Sequence, residues 1–137
     1  MRSREFTTDT SSKDFVEMFK KFLPLCMHYL ELDSLPKMKF EKTINDSDQP
    51  TFGKFDNGAK TLYVALANRH PNDILRTVAH ELCHYKQGVD HRLDASSGET
   101  GSSEENEAHA RAGIVMRHFN KKYPEYLNSR PIIAESK

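Results

Sequence analysis

The tightest constraint on this chain is the pentapeptide His80-Glu81-Leu82-Cys83-His84, set in a stretch whose apolar residues recur with helical spacing. At about 100° per residue, Ile74, Leu75, Val78, Leu82 and Tyr85 fall on one arc of a helix, and His80 and His84 lie roughly opposite. Any fold must therefore bury one face of this helix and leave the other open. Residues four apart stand one turn above one another, so the two imidazoles can converge on one metal ion, with Zn2+ as the expected occupant. Glu81 falls beside them, slightly off the ligand axis. There it is expected to act as catalytic base, taking a proton from water that Zn2+ acidifies to a pKa of ~7 and passing it to a leaving amine.

The helix is expected to begin at the Asn68 to Asp73 stretch, where Pro71 suits a first turn, and to run to about Gln87, with Gly88 ending it. Upstream, Phe15, Phe19, Phe22, Leu23, Cys26 and Leu30 mark an amphipathic helix interrupted or kinked near Pro24. Three short alternating segments follow, Lys37 to Ile44, Thr51 to Phe55 and Lys60 to Leu66, and read as a small antiparallel meander. Asp56-Asn57-Gly58 is the expected hairpin turn, because Asn and Gly accept positive φ. Residues 89–103 are Gly/Ser-rich and read as a mobile loop. A third helix starts near Ser102 or Ser103 and runs to about Lys122, before Pro124. The tail over 129–137 reads as weakly structured. With 137 residues, the chain makes one α+β domain: an N-terminal helix, a sheet of about three strands, a site helix and a C-terminal helix carrying a ligand.

Two histidines do not complete a catalytic zinc site, which takes a third protein ligand and keeps one position open. The candidates lie in Ser103-Glu104-Glu105-Asn106-Glu107-Ala108-His109-Ala110. Glu104, Glu107 and Arg111 share one helical face, whereas His109 points elsewhere. Small residues at Ala108, Ala110 and Ala112 would let this helix approach the second one closely, which favours Glu107, with Glu104 next and His109 third. Glu104 and Glu105 together also suit a solvated first turn that complements the helix dipole.

The run His80-Glu81-Leu82-Cys83-His84-Tyr85-Lys86-Gln87, followed by Glu105-Asn106-Glu107-Ala108-His109-Ala110-Arg111, resembles the small HExxH metallopeptidases of tailed phages and some bacteria. Those look like minimal gluzincins, in which a Glu before Ala on a later helix completes the zinc site. The resemblance spans roughly Lys60 to Phe119 and implies His80, His84 and Glu107 as zinc ligands, Glu81 as catalytic base, and a phage-infected or bacterial cell as the setting. In such an architecture Thr61-Leu62-Tyr63-Val64-Ala65 would be the sheet edge above the cleft, able to pair with an extended peptide.

With 20 basic and 20 acidic residues the net charge is zero, so no global field recruits nucleic acid or an anionic membrane. No membrane span or signal-like apolar run is present, and the two cysteines, Cys26 and Cys83, read as small core residues of a reducing cytoplasm. The expected protein is a monomeric zinc metallopeptidase that acts on a peptide or protein, with no nucleic-acid or membrane partner. Its alternative is a non-catalytic zinc-binding regulatory or interaction module. An SprT-like protease associated with nucleic acid would need a basic surface or a zinc-finger appendage, and neither is evident. Glu81 discriminates the first two, since a structural site has no use for a base. His28, His70, His91 and His118 lack paired spacing and read as surface or capping residues, His91 being a candidate transition-state donor. Tyr63 and Tyr85 could stabilise an oxyanion, though Tyr85 sits on the apolar arc.

Overall fold

The computed structural model describes residues 6–8, 12–46, 49–93, 101–129 and 132–134. Strand β1 (Phe6–Thr8) precedes helix α1 (Ser12–Tyr29), which passes through Pro24. Phe15, Met18, Phe22 and Cys26, with Leu30 just beyond the helix, repeat at three- and four-residue steps and are all buried. Met18 completes this stripe, whereas Phe19 and Leu23 are only partly buried at its margin.

Strands β2 (Lys37–Glu41), β3 (Ile44–Asp46), β4 (Gln49–Thr51), β5 (Gly53–Asp56) and β6 (Thr61–Ala65) follow. The fold is α+β, as expected, but the three-stranded sheet is mixed and not an antiparallel meander. Its order is β2-β6-β5, with β6 parallel to β2 and antiparallel to β5. The physical reason lies in β6: Leu62, Val64 and Ala65 are buried together with Thr61, so this strand needs cover on both faces and a neighbour on both edges. It inserts between β2 and β5, while β3 and β4 pair separately as a hairpin.

The β5–β6 turn forms where expected, by different chemistry. The Ala59 N–H donates to Asp56 Oδ1 at 3.1 Å, and Lys60, not Asn57 or Gly58, takes the left-handed conformation (φ 51°). At the opposite end of this strand pair, buried Arg69 clips the sheet to the next helix. Its Nη1 donates to Ala65 O (2.8 Å) and Phe52 O (3.4 Å), and its Nη2 to Thr77 Oγ1 (2.6 Å) and Asp73 O (3.1 Å). The guanidinium also lies 4.2 Å from the centre of the Phe52 ring.

Helix α2 (Pro71–Val89) starts with Pro71 in its first turn, capped by His70, whose Nδ1 accepts from the Asn72 N–H at 3.0 Å. Its buried arc contains Ile74, Leu75, Val78, Leu82 and Tyr85, as the periodicity requires. Gly88 does not end the helix: it lies inside it, where a Cβ would collide with the Asn57 side chain. Of the expected loop over 89–103, Val89 is helical, and residues 94–100 lie outside the described residues.

Helix α3 (Ser103–Lys122) is capped by Ser102, whose Oγ accepts from the Glu105 N–H at 3.0 Å. Its buried residues Ala108, Ala112, Val115, Met116 and Phe119 pack on α2 and α1, and the Phe22 and Phe119 rings meet edge to face at 5.3 Å. A 3-10 turn (Pro124–Asn128) follows, and strand β7 (Ile132–Ala134) pairs antiparallel with β1. That pairing places part of the tail expected to be weakly structured in a two-stranded ribbon, while 130–131 and 135–137 lie outside the described residues. No helix among the described residues is long and apolar enough to cross a membrane.

Candidate metal centre

Since α2 presents its apolar arc to the core, His80 and His84 emerge on the side that faces the first turn of α3. Their rings lie 4.9 Å apart, nearly perpendicular. Glu105 meets both: its Oε2 is 3.0 Å from His80 Nε2 and its Oε1 is 3.0 Å from His84 Nε2. His80, His84 and Glu105 thus form a partly buried group whose ligand atoms all lie within 4.8 Å of one another. Two imidazole nitrogens and one carboxylate oxygen are a donor set suited to Zn2+, whose tetrahedral bonds of about 2.0–2.1 Å put ligand atoms roughly 3.3 Å apart. The residues present therefore fit the metal. Burial, aided by the neighbouring His84 and His109, pushes the His80 pKa below the usual histidine range against the opposing pull of Glu105, which favours the neutral, ligating form.

Comparison with protein-family models, with curated proteins and with solved structures gave no match.

Glu107, the residue expected to complete the group, stands apart from it. Its carboxylate accepts from Gln87 Nε2 (2.8 Å), pairs with Arg92 Nη2 (2.8 Å) and accepts from Arg111 Nε (3.2 Å). Burial opposes its charge, but Gln87, Arg92 and Arg111 outweigh that and hold it below the usual carboxylate range. The reason is helical phase: Glu105 and Glu107 point about 200° apart around α3. Glu105 continues the stripe Ala108, Ala112, Val115, Phe119 back at three- and four-residue steps, so it shares the side of α3 that packs inward. That alignment was the available signal for Glu105. Glu104 offers the group no carboxylate; its backbone carbonyl accepts from Gln87 Nε2 at 3.0 Å.

Glu81 is buried and borders the same cleft of about 330 Å3 as His80, Glu105 and His109. Burial, and secondly the Glu105 charge, push its carboxyl up to about 8. Strand β5 passes directly over it: a Cβ on Gly53 would lie 3.3 Å from Glu81 Cγ and 2.5 Å from Thr77 Cγ2, so only glycine permits this approach. The strand bordering the cleft is accordingly β5 and not β6, which is paired on both sides.

His109 was expected to point elsewhere. It lines the cleft instead, with Nε2 3.3 Å from Glu105 Oε2 and its ring 4.6 Å from that of His80. His91, by contrast, is exposed in the turn after α2 and does not line the cleft. Tyr63 lies on the sheet between Lys39 and Lys54, and the Tyr85 hydroxyl bonds Ser34 Oγ at 2.6 Å. Neither lines the cleft. Cys83 faces inward, its thiol pushed up to about 12, chiefly by burial, and Cys26 is raised by the same cause, so both are inert core residues.

The raised Glu81 pKa predicts a pH effect in chelator-treated protein. The folded chain binds this proton up to about pH 8, whereas the unfolded chain releases it near the ordinary carboxylate pKa of 4.5. Folded protein holds more protons across that window, so the stability contribution is present at low pH and lost as pH rises, by about 1.4 kcal/mol per unit. Glu81→Gln lacks this slope. Relative to the variant, the parent should lose several degrees of Tm between pH 5 and pH 9. An unchanged difference across that range would show that Glu81 ionises normally.

Proposed function

We propose that this chain is a zinc-dependent peptidase, with His80, His84 and Glu105 as metal ligands and Glu81 as general base. The observation that supports it best is the buried Glu81 carboxyl in the same cleft as His80 and Glu105, two of the three residues of the candidate metal group. A structural metal site has no use for such an acid, and the inward-facing Cys83 leaves the group without the thiolates usual in structural zinc sites.

A divalent cation bound there would supply Lewis acidity towards the substrate carbonyl and towards water. An extended peptide lying along the edge of β5 would bring its carbonyl carbon over the cleft. Glu81, as carboxylate, takes one proton from the attacking water as the new C–O bond forms. It then delivers that proton to the nitrogen as the C–N bond breaks, leaving a carboxylic acid and an amine, which exchange the remaining proton to become carboxylate and ammonium. A base whose pKa lies near the working pH suits both transfers. His109 and Arg76, which also border the cleft, are placed to meet negative charge on the substrate.

The direct test is digestion of a broad peptide library by zinc-loaded protein with and without chelator. Cleavage that chelator abolishes and zinc restores is the expected result. A loaded chain that cuts nothing would favour the non-catalytic binding module.

A further inference from the structure

Gln87 is fully buried and every hydrogen-bonding group of its amide is engaged. Nε2 donates to Glu107 Oε1 at 2.8 Å and to the Glu104 carbonyl at 3.0 Å, with Cys83 Sγ at 3.8 Å. Both oxygens can only accept, because one is a backbone carbonyl and the other belongs to a carboxylate paired with Arg92 and Arg111. The amide can face them in one sense alone. Its Oε1 is therefore turned to His84 Nδ1, 2.8 Å away. A carbonyl oxygen offers no proton, so Nδ1 must carry the hydrogen of this contact. In a neutral imidazole the other nitrogen is then bare, and that nitrogen is the Nε2 that stands 3.0 Å from Glu105 Oε1. Nε2 and the carboxylate face each other as two acceptors, an arrangement that a shared cation satisfies.

Resting on the metal reading above, we propose that Gln87 is the positioning residue of His84, fixing its proton on Nδ1 and its lone pair on Nε2, and that Glu107 fixes the sense of the Gln87 amide. The acidic run on α3 then divides its work: Glu105 faces the metal position, and Glu107 sets a neighbouring ligand at one remove. Arg92 and Arg111 belong to the same chain of contacts, since they hold the Glu107 carboxylate in place. Arg111 also donates to the Tyr29 carbonyl at 3.0 Å, which ties the arrangement to the end of α1.

Two substitutions separate this role from simple packing, because both remove the amide donors and only one keeps an oxygen beside Nδ1. Long-range 1H–15N NMR of the metal-free protein reads the His84 tautomer directly, and a competition titration reads zinc affinity. The parent and Gln87→Glu should show Nδ1–H at His84; in Gln87→Glu the lost donors to Glu107 and to the Glu104 carbonyl lower zinc affinity, so that variant is read by its tautomer alone. Gln87→Met should lose that tautomer and bind zinc about 10–100-fold more weakly, the usual cost of a lost supporting contact to a metal ligand. Loss of the Nδ1–H tautomer in both variants alike, or an unaltered tautomer in Gln87→Met, would overturn the proposal. Should Gln87→Met fail to fold, Glu107→Met keeps Gln87 and His84 and removes one anchor of the amide. A mixture of His84 tautomers is then expected, and a single Nδ1–H species would refute the part assigned to Glu107. If the parent binds no zinc, the metal reading fails on its own; the tautomer, measured without metal, still decides whether Gln87 sets it.

Discussion

Glu81→Gln should keep one zinc per chain and lose at least about 100-fold in metal-dependent peptide cleavage, since general-base contributions run ~10²–10⁴-fold. The amide has nearly the shape of the carboxyl group and leaves His80, His84 and Glu105 in place. It cannot accept the proton of attacking water. Because Glu81 is buried and held largely neutral up to about pH 8 in metal-free protein, the neutral amide should disturb folding little. Measured together, zinc content, Tm and initial cleavage rates isolate the chemistry. Parent-like cleavage by the variant would refute Glu81 as the base while leaving the ligand assignment standing.

The second large effect concerns the ligands. His80→Ala, His84→Ala and Glu105→Ala should each abolish stoichiometric zinc binding at micromolar metal, because a site with three protein ligands becomes a weak two-ligand one. Glu107→Ala should still bind one zinc, weakened by no more than the about 10–100-fold that loss of a supporting contact costs. Calorimetric or competition titration of the four variants gives the order. If Glu107→Ala lost zinc and Glu105→Ala kept it, α3 would have to be rotated by about half a turn from its position here, and the geometric assignment would be wrong.

The helical elements were legible because burial imposes a period on them. Ile74, Leu75, Val78, Leu82 and Tyr85 are all buried on α2, and His80 and His84 emerge on the open side, as spacing alone requires. The third carboxylate was harder to read. Three glutamates lie within four residues, so choosing among them needs the phase of α3 against α2, and an error of two positions turns the side chain by about 200°. The Ala residues after Glu107 drew attention to it, yet of Ala108, Ala110 and Ala112 only the first and last are buried, and these align with Glu105.

Strand order was least legible. Alternation tells which face of a strand is buried and says nothing about its neighbours. The near-continuous apolar run at Leu62 to Ala65 did carry the mark of a central strand, although the family resemblance implied an edge. The Lys60 conformation shows the same limit on a smaller scale, since Asn57 and Gly58 were the better left-handed candidates by type and the Asp56 side-chain bond selected another turn. Hydrogen bonds formed across the fold, like those of Gln87, leave no periodic trace in sequence.

If the proposed function holds, the Arg69 clamp bears on how a substrate would be received. One cation bonds the Phe52 carbonyl and stacks on its ring, while its other nitrogen grips the first turns of α2, from which His80 and His84 follow. Phe52 is 63% exposed and forms a wall of the cleft, so a large apolar side chain stands in water without freedom to fold away. Wall and histidines thus share one anchor and cannot move apart cheaply. On the proposed peptidase reading, a peptide arriving at this cleft would meet a surface whose shape is set beforehand, so little ordering of the protein would oppose its binding.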